Sequence, residues 1–157
     1  MKYGSTRLNI QEQRGLAIVE FAIAVPVLLL MMLGMAELGR CLYQYNALNK
    51  QVRNAARYVV SNARVGSTSV VNITNAIPIA RNLVVFGNEA GTGSALLPNL
   101  AVGNVTVSNN SATPDYVLVQ VDYTYQPIIG NTLKTFGMGD NLSLLVPLKA
   151  SVVMRVL

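Results

Sequence analysis

Hydrophobic and polar positions divide this chain into three stretches with different periods. Residues 1–15 are polar, with Lys2, Arg7, Glu12 and Arg14 among them. Residues 16–36 (LAIVEFAIAVPVLLLMMLGMA) follow abruptly, and eighteen of the twenty-one are apolar; the exceptions are Glu20, Pro26 and Gly34. At about 1.5 Å of rise per residue, a helix of this length matches the ~30 Å hydrocarbon core of a bilayer. Beyond it, Leu38, Cys41, Tyr45, Leu48, Val52, Ala55 and Val59 recur with alternating spacings of three and four. That period predicts an amphipathic continuation of the helix over 37–64, with its seam buried against the chain's own sheet or, as the less favoured option, a neighbouring helix. Gly66 is the expected stop after Arg64.

The remainder, 65–157, changes period. Ile73 to Val85 contains a short helix expected to break at Pro78, and 87–94 (GNEAGTGS) is a loop by composition. Val117, Val119, Val121, Tyr123 and Tyr125 alternate with Leu118, Gln120, Asp122, Thr124 and Gln126, the period of two of a half-buried antiparallel strand stopped by Pro127. Leu144, Val146, Leu148, Ala150, Val152, Met154 and Val156 alternate likewise, and Pro147 there predicts a bulge or an edge position. Asn104 to Ser108 is a shorter strand, 109–113 a polar turn, and 130–140 a longer connection. The expected fold is α+β: a long N-terminal hydrophobic and amphipathic helix packed on three or four antiparallel strands.

Composition narrows the chemistry. The chain has 157 residues, 52% hydrophobic and 12% charged, with one Cys and no His; about 25% charged is usual for a soluble domain. The inventory excludes histidine-based acid–base catalysis, Cys–His nucleophiles, ordinary zinc sites and an intrachain disulfide. Cys41 lies on the apolar stripe and reads as a core thiol. Glu89, Asp115, Asp122 and Asp140 are scattered, and the glycine-rich loop lacks the Gly-Lys-Ser/Thr of a phosphate cradle. No enzyme, cofactor, metal or small-molecule substrate is therefore expected. The Asn-x-Ser/Thr sites at Asn72, Asn104, Asn109 and Asn141 are attributed to chance in a chain rich in those residues.

The net charge of +5 resides in residues 1–64, which hold eight of the twelve basic groups and three of the seven acidic ones. These basic groups flank the apolar run, so they point to a membrane and not to nucleic acid. Charge does not orient the span: three basic residues precede it, and Arg40, Lys50, Arg53 and Arg57 follow it. Glu20 is the informative residue. An ionisable side chain five residues into an apolar run costs a few kcal/mol and is a functional-site hypothesis by default; its bland alternative is snorkelling or protonation. Pro26 is either a passive kink or a bend used in packing.

Arg14-Gly15 followed by Leu16-Ala17-Ile18-Val19-Glu20-Phe21 resembles the class III type IV prepilin signature. The wider stretch resembles the N-terminal module of TadE-like proteins, minor pilins or pseudopilins of the tight-adherence (Flp) pilus system. Its specific elements are Glu20-Phe21, Pro26, Glu37-Leu38-Gly39-Arg40 and Asn54-Ala55-Ala56-Arg57-Tyr58. The resemblance implies a type IV pilin-like fold and a prepilin leader over 1–15. It implies a prepilin peptidase cut between Gly15 and Leu16 on the cytoplasmic side, and an assembly role for Glu20 and Phe21. Partners would be the bacterial inner membrane, the peptidase and other pilin subunits, contacted through the N-terminal helix, in an adhesive, biofilm-forming pilus. Cutting there makes Leu16 a new α-amino cation, which Glu20 of an adjacent subunit can pair with, offsetting the desolvation of both. The 142 residues left are too many for the major Flp pilin, which is little more than the helix, and fit a minor component.

Rival readings use the same segment differently. Gly34-Met35-Ala36 is a small-x-small site for a signal peptidase, although the run is longer than a usual signal core and carries Glu20. Arg40 before Cys41 disfavours a lipoprotein box. The alternative function is a secreted or membrane-anchored binding module whose first 36 residues only target it.

Overall fold

A computed structural model of the protein describes residues 10–64, 71–110, 113–134 and 139–156. It divides into two compact units, Met1–Gly39 and Arg40–Leu157. Helix α1 covers Ile10–Asn62, with Pro26 inside it. It stops two residues before Arg64, which forms an isolated antiparallel bridge with Val71; the expected stop at Gly66 lies outside the described residues.

Within Arg40–Leu157 the architecture is two-layered. The helix α2 (Ala76–Phe86) follows, then the strands β1 (Val105–Asn110), β2 (Thr113–Thr124) and β5 (Pro147–Arg155), with the short β3 (Thr132–Leu133) and β4 (Leu142–Ser143) between β2 and β5. The main sheet has the order β1-β2-β5, all antiparallel, and β3 pairs with β4 in a separate ribbon. Val107, Val119 and Val152 lie opposite one another across the three strands. The inward residues of β2 are Val117, Val119, Val121 and Tyr123, all buried, as their period of two requires. They meet Leu48, Val52, Ala55, Ala56 and Val59 of α1 in one hydrophobic core, which also takes in Ala80, Val84 and Val85 of α2. The α+β arrangement, a long helix on a small antiparallel sheet, is the expected one.

Three local expectations are corrected. The seam of α1 follows Leu48, Val52, Ala55 and Val59, but at its start Tyr45 and Leu38 point outward and Gln44 is buried. Positions 44 and 45 both satisfy a three-or-four spacing between Cys41 and Leu48, and hydrophobicity favours the tyrosine. Gln44 nevertheless takes the inward place because Tyr123 offers it a polar partner. Pro78 does not break α2. It is the third residue of the helix, inside the first turn, where backbone N–H groups have no intrahelical acceptor to lose. The longer connection 130–140 contributes β3 and leads into β4. The turn begins later than 109, because Asn109 and Asn110 still belong to β1; residues 111–112 lie outside the described ones. Pro147 is the first residue of an edge strand, one of the places expected for it.

Helix α2 ends on Gly87, whose φ of 75° is left-handed and whose N–H donates to the Leu83 carbonyl at 3.1 Å. A Cβ on Gly87 would also stand 3.3 Å from Leu96 Cδ1. Gly87→Ala is therefore expected to cost about 1 kcal/mol, read as a lowered midpoint in urea with an unchanged slope.

A buried polar pair ties α1 to β2. The Tyr123 hydroxyl lies 3.2 Å from Gln44 Oε1 and 3.0 Å from the Pro98 carbonyl. One phenolic proton serves one acceptor at a time. With the Gln44 amide turned over, its NH2 donates to the phenolic oxygen while the O–H donates to Pro98, and all three groups are satisfied. Burial pushes the Tyr123 phenol above its ordinary value of 10.0, opposed by the positive charge of Arg40. Because the folded-state value is raised, this stabilisation is complete below pH 10 and lost as the pH rises through the folded value. Tyr123→Phe should lower stability by about 1 kcal/mol at neutral pH and flatten its decline in alkali, measured by urea unfolding from pH 8 to 11. On the opposite face of the sheet, the Gln120 amide donates to Asp122 Oδ2 at 2.9 Å and Lys149 stands 3.4 Å from Oδ1. These contacts, the Gln120 bond foremost, hold the Asp122 carboxyl below the usual carboxylate range against partial desolvation.

Candidate membrane and assembly helix

The candidate site is the N-terminal part of α1. Its sequence is apolar on every side, and such a helix has no polar face to turn toward water. Its most hydrophobic 18-residue window has a mean hydropathy of 2.6, and no part of that window is buried within the chain. Leu16, Ile18, Phe21 and Ile23 are each 69–72% exposed. A helix of this length and composition meets the requirements for crossing a bilayer, and bare leucines and phenylalanines in such number need a nonaqueous neighbour. Pro26 leaves the helix unbroken; the carbonyl it frees is tolerated in a membrane where adjacent groups re-satisfy it.

The four residues singled out in the sequence fall within two turns of this helix. Gly15 and Leu16 are exposed, and Glu20 lies four residues beyond Leu16, hence on the same face and about 6 Å further along the axis. Phe21 lies roughly 100° round from Glu20 and is as exposed as its apolar neighbours. The structure thus gathers Leu16, Glu20, Ile23 and Val27 on one face, with a single carboxylate in an otherwise apolar stripe. A Cβ built on Gly15 meets nothing within 4 Å. The packing of this chain does not require the glycine.

Chemistry of another kind is sparse. Among the described residues, no group of three His, Cys, Asp or Glu side chains gathers as a metal-ligand set. Cys41 is half-buried against the core. An open groove on the outer face of α1 is lined by Lys50, Arg53 and Arg57 with Asn46, Asn49 and Asn54. It presents donors and positive charge but no nucleophile or general base, and no acidic residue occurs between Arg40 and Arg64 to neutralise it. That stripe was present in the sequence as the four-residue spacing of Arg53 and Arg57, but its outward direction became evident only with the seam.

Residues 15–57 match the family model described as TadE-like protein. The matched segment includes Gly15, Leu16, Glu20, Phe21 and the start of the buried seam, and stops before α2 and the sheet. The match makes this stretch, about a quarter of the chain, similar to TadE-like proteins, and the apolar helix fits membrane anchoring. No curated protein and no solved structure matches the chain.

Proposed function

We propose that the protein is a minor pilin, or pseudopilin, that prepilin peptidase cuts between Gly15 and Leu16 and that serves in assembling an adhesive Flp/Tad-type pilus. Residues 16–36 hold it in the bacterial inner membrane, with residues 40–157 outside the cytoplasm. The observation that carries this reading is the lone carboxylate of Glu20 on a bare apolar helix, one turn from the bond that the signature marks for cleavage. Cleavage releases an α-amino group from Leu16. Withdrawn into lipid, that cation and the Glu20 carboxylate of a neighbouring subunit each cost several kcal/mol alone, and as a pair they neutralise one another. The pairing sets an axial stagger between adjacent helices while their apolar faces supply the contact area. The family match over 15–57 and the span-length helix support the reading.

Mass spectrometry of the mature protein tests it directly. A terminus at Leu16 is expected. A terminus at Glu37 would make the protein an exported binding module, and an intact Met1 a plain anchor. Gly15→Val should abolish the cut and leave the precursor in the membrane, with at least a hundredfold less mature protein on an immunoblot. Because a side chain at position 15 meets nothing in this chain, the loss would report on recognition and not on folding.

A further inference from the structure

The exposed apolar residues of Arg40–Leu157 are unevenly distributed. The turns following β2 and preceding β5 carry Ile128 (73% exposed), Ile129, Leu142 (59%), Leu145 and Val146 on the surface, on or beside the β3–β4 ribbon. Ribbons this short do not bury such residues themselves. The position of the ribbon follows from the strands that lead into it. The inward-facing Tyr123, near the end of β2, touches Gln44, and the charge of Arg40 reaches its ring. The backbone continues past it, with the Tyr125 N–H donating to the Val146 carbonyl at 2.9 Å and the Leu144 N–H to the Asn131 carbonyl at 2.9 Å. At its other end, β2 lies near the end of α1: Tyr116 pairs with Arg155, which shares a groove with Arg57 and Arg64. Strand β2 therefore runs antiparallel to α1, and the ribbon sits at the end of this unit where the chain enters at Arg40.

Among the described residues of this unit, eleven large apolar ones are exposed and nine lie at that end; the exceptions are Tyr116 and Val153. They include Leu42 and the exposed Tyr43, an aromatic suited to a membrane–water boundary. Arg40 follows Ala36, the end of the apolar run, by four residues, so the connecting chain is at most about 14 Å long. That end of the unit is therefore tied by a short stretch of chain to the apolar run.

We propose that the β3–β4 ribbon is a second membrane contact, seating Ile128, Leu142, Leu145 and Val146 in the headgroup–acyl boundary beside the point where the span emerges. The proposal rests on the reading of residues 16–36 as a span. The boundary still holds water, so the ribbon's outer backbone groups stay hydrated while its side chains enter lipid. One span leaves the outer unit free to swivel; a second contact fixes its rotation about the helix axis.

The protein contains no Trp, so single substitutions give clean probes. The full chain carrying Leu142→Trp, Val27→Trp or Asn109→Trp would be reconstituted in phosphatidylethanolamine–phosphatidylglycerol vesicles with brominated acyl chains. Leu142→Trp should emit to the blue of a solvated indole and lose at least half its intensity to bromine. Val27→Trp should be quenched more strongly, and Asn109→Trp, exposed on β1 opposite Val117 and so at the far end of the sheet, not at all. Quenching at position 27 without quenching at 142 overturns the ribbon contact and leaves the span standing. Absence of quenching at 27 overturns the span itself. A blue shift at 142 without bromine quenching would mean that another subunit covers the ribbon, and also overturns the proposal. Leu145→Trp replaces Leu142→Trp if the latter lacks the parent's thermal transition.

Discussion

Glu20→Ala is expected to give a protein that is still cut after Gly15 and still sediments with membranes, yet is missing from assembled fibres. The substitution removes the only acidic side chain between residues 16 and 36. It makes the isolated helix a better span, since a carboxylate at depth costs about 2.5–3.5 kcal/mol. On the proposed pairing, it leaves the amino terminus of the next subunit in lipid without a counter-charge. Removing one partner of a buried pair costs about 3–5 kcal/mol, more than a hundredfold in an association equilibrium. Opposite effects on insertion and on assembly separate this account from a loss of folding. The measurement is the ratio of protein in sheared fibres to protein in the membrane fraction. A ratio equal to the parent's would remove Glu20 from the assembly contact. Glu20→Asp, which keeps the charge on a shorter arm, should fall between the two.

Val119→Asp is expected to unfold residues 40–157 altogether. Val119 is fully buried at the middle of the central strand, opposite Val107 on one side and Val152 on the other. Each edge of that strand is paired, so no local shift carries a carboxylate to water. Burying it uncompensated costs several kcal/mol, a large share of the ~5–15 kcal/mol that holds a domain of this size together. The expected readout is loss of the cooperative thermal transition in circular dichroism, while the apolar helix still partitions into detergent. Val119→Ala, by contrast, should fold, with a cost of about 2–3 kcal/mol. A cooperative transition surviving in the aspartate variant would show that β2 is not the centre of the core.

Much of this fold was written locally. The twenty-one-residue apolar run, the seam from Leu48 to Val59 and the alternation of Val117 to Tyr125 each follow from one residue's spacing to the next, and all three appear as expected. What was not legible depends on partners distant in sequence. Gln44 takes the inward place over Tyr45 because of a hydroxyl seventy-nine residues away, which no helical wheel contains. The β3–β4 ribbon involves two residues per strand, too few for a period to appear. Pro78 breaks a helix that starts at Ile73, but with the start at Ala76 the same proline falls in the permissive first turn. The candidate site was legible in types and spacing, since Gly15, Leu16, Glu20 and Phe21 form one contiguous motif. The exposed apolar cluster of Ile128 and Leu142 was not, because nothing in the sequence shows that the end of β2 returns to the part of α1 around Gln44.

The position of β5 in the sheet sets an order of events in time. The core joins Val52 and Val59 to Leu148, Ala150 and Val156, so it cannot close until residue 156 has left the ribosome. Residues 16–36 emerge more than a hundred residues sooner. At roughly 5–20 residues per second, that interval is on the order of ten seconds. During it the greasy segment is already available to the insertion machinery, while the polypeptide behind it is still an open chain that can be threaded. Late closure of the sheet thus leaves the polypeptide behind the apolar segment open until synthesis is nearly finished.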